Sequence, residues 1–126
     1  MRLLLDTRVL LWWLANDERL TKGALRTIAG AEVYVSAASA WEIAIKSALG
    51  KLRIPQDLED QIRASRFREL PVTIAHATVA AQLPQLHKDP FDRMLIAQAF
   101  QESLTLLTND AKFAYYPARV MRVENL

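Results

Sequence analysis

Apolar residues fall into short solid runs, separated by longer segments in which they recur every three or four positions. The solid runs read as buried strands and the periodic segments as helices that bury one side. Arg2 to Asp6 is the first strand, with Leu3, Leu4 and Leu5 ending at an acid. Thr7 is placed to cap Val9 to Leu14, a segment apolar on every side and read as a buried helix. A helical pattern runs from Thr21 to Ala29, and Val33 to Ser36 is a strand. Ser36 can cap a long helix that reaches Leu49 and stops at Gly50. Pro55 opens a polar helix, Glu69 to Val72 is a strand, and Thr73 caps a helix from Ile74 to Leu83 that Pro84 ends. Pro90 precedes the clearest amphipathic helix, Phe91 to Gln101, whose Phe91, Met94, Leu95, Ile96 and Ala99 share one broad face. Leu104 to Thr108 is a strand, a short helix follows, and Arg119 to Val123 is the last strand. Strands alternating with helices predict a three-layer α/β/α sandwich around a largely parallel central sheet, built as a single domain over residues 1–126.

That topology has a chemical consequence. In a right-handed βαβ layout a site forms outside the carboxyl ends of the strands, and the helices that follow begin at the same edge. Asp6 ends the first strand, and Asp110 lies two residues past the strand that finishes at Thr108. Glu42 is in the second turn of the helix after Ser36, and Asp92 is in the first turn after Pro90. Four carboxylates far apart in sequence are thereby predicted to converge. Converging carboxylates repel, and a divalent cation removes the conflict.

Composition narrows the chemistry. The 126 residues are 52% hydrophobic and 24% charged, with only 3 glycines, which describes a folded chain with no flexible linker. There is no cysteine, so disulfides, thiolate nucleophiles and cysteine-based zinc sites are excluded. His76 and His87 lack metal-motif spacing, so any metal ligands are mainly oxygen, which points to Mg²⁺ or Mn²⁺. The net charge of +2 does not by itself indicate nucleic-acid binding, and Arg63, Arg66, Arg68, Lys88, Arg93, Lys112, Arg119 and Arg122 are dispersed. Asp6 and Arg8 interrupt the apolar N-terminus, no run reaches transmembrane length, and the chain reads as a cytoplasmic protein without a membrane association.

Four stretches carry a resemblance. Leu-Leu-Leu-Asp-Thr at 3–7 precedes Val-Leu-Leu-Trp-Trp-Leu at 9–14; Ser-Ala-Ala-Ser-Ala-Trp-Glu-Ile-Ala-Ile-Lys occupies 36–46; His-Lys-Asp-Pro-Phe-Asp-Arg-Met-Leu-Ile-Ala-Gln-Ala occupies 87–99; and Leu-Leu-Thr-Asn-Asp-Ala-Lys-Phe occupies 106–113. In this order the chain resembles the PIN-domain ribonucleases, in particular the VapC-type toxins of toxin–antitoxin pairs. The resemblance implies a PIN-like fold, a metal-binding acidic site made of Asp6, Glu42, Asp92 and Asp110, and RNA cleavage with Mg²⁺ or Mn²⁺. It also implies a homodimer and a small VapB-type antitoxin as partner. Relatives with this opening commonly carry His where Arg8 stands here. Arg8 can contact a substrate phosphate, pair with Asp6 and weaken metal binding, or mark a detoxified variant.

Each acid also has an ordinary use. Asp6 can cap a helix, Glu42 and Lys46 form a favoured i,i+4 pair, and Asp92 and Asp110 suit helix N-termini. Thr108 can position a metal-bound water or cap the following helix. Asn109 is a turn residue or a substrate contact, and Asp89 is a solvated turn acid or a support for the site. His76 reads as structural, and His87 as an exposed loop residue that can come near RNA. Trp12, Trp13 and Leu14 read as core, or as a groove for an antitoxin helix if part stays exposed. Phe113, Tyr115 and Tyr116 read as packing around the last strand, or as surfaces for unpaired bases. A phosphatase of the haloacid-dehalogenase type also begins strand-Asp, but it needs an acid where Arg8 stands. A PIN-like module that binds RNA or a partner without cutting is the other alternative.

Overall fold

Leu3 and Leu5 face one side of the first strand and Leu4 the other, and this alternation sets the layering of the protein. The computed structural model describes residues 1–53, 57–86 and 88–126, so the readings of Pro55 and His87 lie outside the described residues. Strand β1 (Arg2–Leu5) pairs in parallel with β2 (Glu32–Ser36) and with β4 (Thr105–Thr108). The edges are β3 (Arg68–Leu70), beside β2, and β5 (Arg119–Arg122), beside β4, giving the all-parallel order β3-β2-β1-β4-β5. On one face, Leu3, Leu5, Val33, Val35 and Leu107 pack with Val9, Leu10 and Trp12 of α1 (Thr7–Leu14) and with Ala24 and Ile28 of α2 (Lys22–Ala29). Ile43 of α3 (Ala37–Ala48) joins that core, and Leu58 and Ile62 of α4 (Leu58–Ala64) pack against it. On the other face, Leu4 and Leu106 meet Leu95, Ile96 and Ala99 of α6 (Pro90–Gln101), with Val79 and Ala80 of α5 (Ile74–Gln82) packed outside. The result is the expected α/β/α sandwich. No helix among the described residues is long and apolar enough to cross a membrane.

Several local readings change. Thr7 does not cap α1: the N-cap position belongs to Asp6, and Thr7, already inside the helix, donates its hydroxyl to Ser39 Oγ at 2.9 Å. Strand β3 stops at Leu70 because Pro71 has no N–H for the ladder. The last strand ends at Arg122, and Val123–Asn125 turns into a 3₁₀ helix. His76 is structural as expected. Its Nδ1 accepts from Thr73 N at 3.0 Å while Thr73 caps His76 N, and its Nε2 meets Glu102 Oε2 at 2.9 Å. Phe113 and Tyr116 are buried in the β4–β5 side of the core, whereas Tyr115 is exposed. Trp12 is core, and Trp13 is partly buried and donates from Nε1 to Ser65 Oγ at 3.0 Å.

Both long helices end in the same six-residue closure. After α3, Lys51 N reaches Lys46 O at 2.9 Å and Gly50 N reaches Ser47 O at 3.0 Å, with Gly50 at φ 71°. After α6, Leu104 N reaches Ala99 O at 2.9 Å, but the left-handed position is held by Ser103 at φ 55°. A side chain is disfavoured there and Ser103 is exposed. Ser103→Gly is therefore expected to raise stability by roughly 0.5–1 kcal/mol, read as a higher urea midpoint with an unchanged m-value. A lower midpoint would show that the serine makes a compensating contact.

Candidate active site

Between β1 and β4 the strand order reverses: the chain builds outward through β2 and β3, then returns to place β4 on the other side of β1. Loops leaving the two strands at such a point diverge, and a crevice opens at their carboxyl ends. Asp6 follows β1 and Asp110 follows β4. The amino-terminal half of α3 carries Glu42, and the first turn of α6 carries Asp92. All four line one open cleft of 540 Å³, and Asp89 joins them.

The acids are held by distinct devices. Thr108, fully buried, donates its hydroxyl to Asp6 Oδ2 at 2.7 Å and accepts from Asp110 N at 3.0 Å, so one side chain ties the β1 acid to the β4 loop. It does not cap the following turn; Asp110 does, accepting from Lys112 N at 2.9 Å. Asp89 is more than a solvated turn acid: it caps α6, accepting from Phe91 N at 2.8 Å and Asp92 N at 3.4 Å. Glu42 is only 5% exposed. Its Oε2 accepts from Lys46 Nζ at 2.7 Å, and its Oε1 is buried with no hydrogen-bond partner among the described residues. Asn109 also lines the cleft, with its Oδ1 buried and in the same condition.

Electrostatics reflect the crowding. Burial pushes the Asp6 carboxyl above its usual range, opposed by the Thr108 hydrogen bond and the Arg8 charge, with Glu42 adding repulsion. Asp92 is pushed up to about 8, first by burial and then by Asp6, Asp89, Glu42 and Asp110. The acids therefore feel one another through space.

Oxygen-only donors suit a hard cation such as Mg²⁺ or Mn²⁺, and the orphaned Glu42 Oε1 is a buried lone-pair donor of the kind such an ion uses. As the side chains stand, no three of the described histidine or acidic residues enclose a point where an ion could sit. The donor types and burial fit a metal, while closing the set requires side-chain movement.

Around the acids stands a basic rim: Arg8, Arg19, Lys46, Lys51 and Arg53 line the same cleft. Arg8 makes no ion pair with Asp6 among the described residues and is exposed. Arg19 is anchored, binding Asp17 Oδ2 at 2.6 Å and lying 5.1 Å from the centre of the Trp12 ring. Leu11, Leu14 and Leu52 supply apolar wall. Sequence reasoning missed Arg19, Lys51 and Arg53, and three of the dispersed basic residues it noted do other work. Arg63 pairs with Glu59, Arg68 pairs with Glu32, and Arg93 donates to the carbonyls of Ala80, Leu83 and Pro84. Gly50 was the one available signal, since the turn it permits brings Lys51 round to the cleft.

The PIN domain family model matches residues 3–118. Ribonuclease VapC22 of Mycobacterium tuberculosis is 33% identical over 113 residues, 86% of this chain and 87% of that protein. Among solved structures, VapBC2 from Rickettsia felis bound to a promoter DNA fragment matches with a TM-score of 0.74 at 17% identity, covering 97% of this chain and 98% of that one. FitAcB from Neisseria gonorrhoeae matches with a TM-score of 0.68 at 21% identity, covering 98% of this chain and 99% of that one. At these identities the structural likenesses establish the fold.

Proposed function

The chain belongs to the PIN domain family, and from that premise we propose that it is a metal-dependent endoribonuclease, the toxin of a VapBC-type pair. Its single PIN domain, spanning 1–126, would hydrolyse RNA phosphodiester bonds in the cytoplasm. The observation that carries the reading is the gathering of Asp6, Glu42, Asp92 and Asp110 on one cleft, with Asp92 pushed up to about 8 by burial and its acidic neighbours.

These four acids would hold Mg²⁺ or Mn²⁺. When bound there, the ion supplies a water of lowered pKa and neutralises charge building on the phosphate. Thr108 keeps Asp6 aimed into the cleft. Asp89 fixes the first turn of α6 and with it the position of Asp92. Arg8 and the other rim cations are placed for backbone phosphates on either side of the scissile bond. Asn109 offers an amide to the substrate. The apolar wall at Leu11, Leu14 and Leu52 suits a helix of a VapB-type antitoxin. The structural relatives are named as VapBC and FitAB complexes, and the homodimer is what the family resemblance implies.

A second reading is kept by Arg8, whose charge acts directly on Asp6: a PIN scaffold that binds RNA or a partner but cuts weakly or not at all. One experiment separates the two. Purified protein is incubated with total bacterial RNA in Mg²⁺, Mn²⁺ or EDTA, beside Asp6→Asn and Arg8→His. Metal-dependent cleavage lost in Asp6→Asn is the expected result. A silent parent and an active Arg8→His would make Arg8 a disabling change. Silence from both folded proteins across varied RNAs would leave the binding module.

A further inference from the structure

Lys46 sits where an acidic nuclease cleft has least obvious use for a tethered cation. Its ammonium lies 2.7 Å from Glu42 Oε2, and Asp89 and Asp92 also act on its charge. The pair is lopsided: the Glu42 side chain is 6% exposed and that of Lys46 49%. An ammonium has three donors and no fixed plane, so it leaves an acceptor more readily than a guanidinium fork does. Its stem rises from the last turn of α3 and lines the cleft, while Glu42 Oε1 has no partner among the described residues. A structural ion pair would satisfy the buried carboxylate. Here one oxygen is neutralised and the other is left over.

We propose that Lys46 is an exchangeable cation: it neutralises Glu42 in the metal-free protein, gives that carboxylate up to a divalent ion, and then binds a non-bridging phosphate oxygen of the RNA. The inference rests on the metal-dependent reading above. Two charges cannot share one carboxylate oxygen without repulsion, so Lys46 and the ion compete for Glu42. Once displaced, the ammonium is still in a cleft rimmed by Arg8, Lys51 and Arg53. An RNA phosphate there is the anion that replaces the one it has lost. Lys46 thereby couples metal occupancy to substrate binding: the cleft gains a phosphate contact when the metal arrives.

The test uses the full chain with Lys46→Met and Lys46→Gln, each confirmed folded by circular dichroism. Mn²⁺ affinity is measured by calorimetry without RNA. KM for a short single-stranded RNA is then measured in Mn²⁺ over a series of KCl concentrations. Lys46→Met is expected to bind Mn²⁺ about tenfold more tightly, to raise KM, and to lower the slope of log KM against log salt by about 0.7, one phosphate contact on a single strand. Lys46→Gln should follow in both readouts, and Lys46→Arg should bind Mn²⁺ more weakly than the parent. Unchanged or weaker Mn²⁺ binding in the neutral variants overturns the exchange. Tighter Mn²⁺ binding with an unchanged salt slope overturns the phosphate contact, and the proposal with it. A parent protein that binds no Mn²⁺ removes the metal-dependent reading and this inference together. Normal parent binding with unaltered variants removes this inference alone.

Discussion

Asp92→Asn protein will lose nearly all RNA cleavage, yet in EDTA at pH 9 it will be more stable than the parent. Both halves come from the same crowding. Asp92 is pushed up to about 8, first by burial and then by Asp6, Asp89, Glu42 and Asp110. A folded-state pKa above the unfolded value means that the native protein holds a proton the unfolded chain releases. Parent stability therefore falls as pH rises from about 4 towards 8, and is flat beyond. Asparagine is the permanently uncharged counterpart and lacks this slope. The difference between the two proteins should open through that window and level off at roughly 1–2 kcal/mol, since solvent screens much of the repulsion at an open cleft. Mn²⁺ should reverse the order, because only the parent gains binding energy in proportion to ligand. Loss of the ligand should lower cleavage by about 10³-fold, the rate equivalent of several kcal/mol. Urea midpoints against pH, with and without Mn²⁺, give the stability arm. Parallel curves would show that Asp92 does not share a charge-crowded site, and retained cleavage would remove it from the proposed metal ligands.

The acids were legible because topology exposes them. A carboxylate at a strand end or in a helix's first turn can be located from element boundaries alone, and small errors in those boundaries do not move Asp6 or Asp92 to another edge. The strand order itself was not legible. Apolar runs such as Leu3-Leu4-Leu5 show that a strand is buried on both faces, but not which neighbours it pairs with. The supporting groups were harder still. Thr108 and Asp89 are turn residues by composition, and only the approach of β1 to β4 turns Thr108 into a partner for Asp6. Thr7 was misread for a related reason: a hydroxyl beside a helix start suits a cap, but one residue inside the helix it faces Ser39 instead. The Glu42–Lys46 spacing predicted the pair that is observed. What spacing could not convey is burial, which leaves one oxygen of that pair without a partner among the described residues. Arg19, Lys51 and Arg53 escaped notice because Arg19 comes from the segment after α1 and the other two from the segment after α3, with no run of charge to mark them.

Thr108→Val should be the most damaging change that leaves every acid in place. The substitution keeps shape and removes one hydroxyl. Asp6 Oδ2 loses a donor at 2.7 Å and Asp110 N loses an acceptor at 3.0 Å. A buried polar group left unpaired costs roughly 1–3 kcal/mol, and because the Asp110 N–H is only partly buried a loss of about 1–3 kcal/mol in folding stability is expected. The functional effect should exceed what instability explains. Asp6 is already pushed towards its protonated form by burial, and the Thr108 bond is the leading influence holding it down. Without that bond Asp6 takes up a proton more readily and is held only by its backbone hydrogen bond from Arg8. Cleavage at saturating Mn²⁺ and at a temperature where the variant is fully folded should fall by about 10- to 100-fold, the usual scale for losing a group that orients a metal ligand. Part of the loss should be recovered by raising the pH, since deprotonation of Asp6 then no longer depends on the hydroxyl. Thr108→Ser retains the donor and the acceptor and should stay near the parent. If valine cuts as well as threonine once folded, Thr108 belongs to stability alone, and Asp6 is aimed by its own backbone at the end of β1.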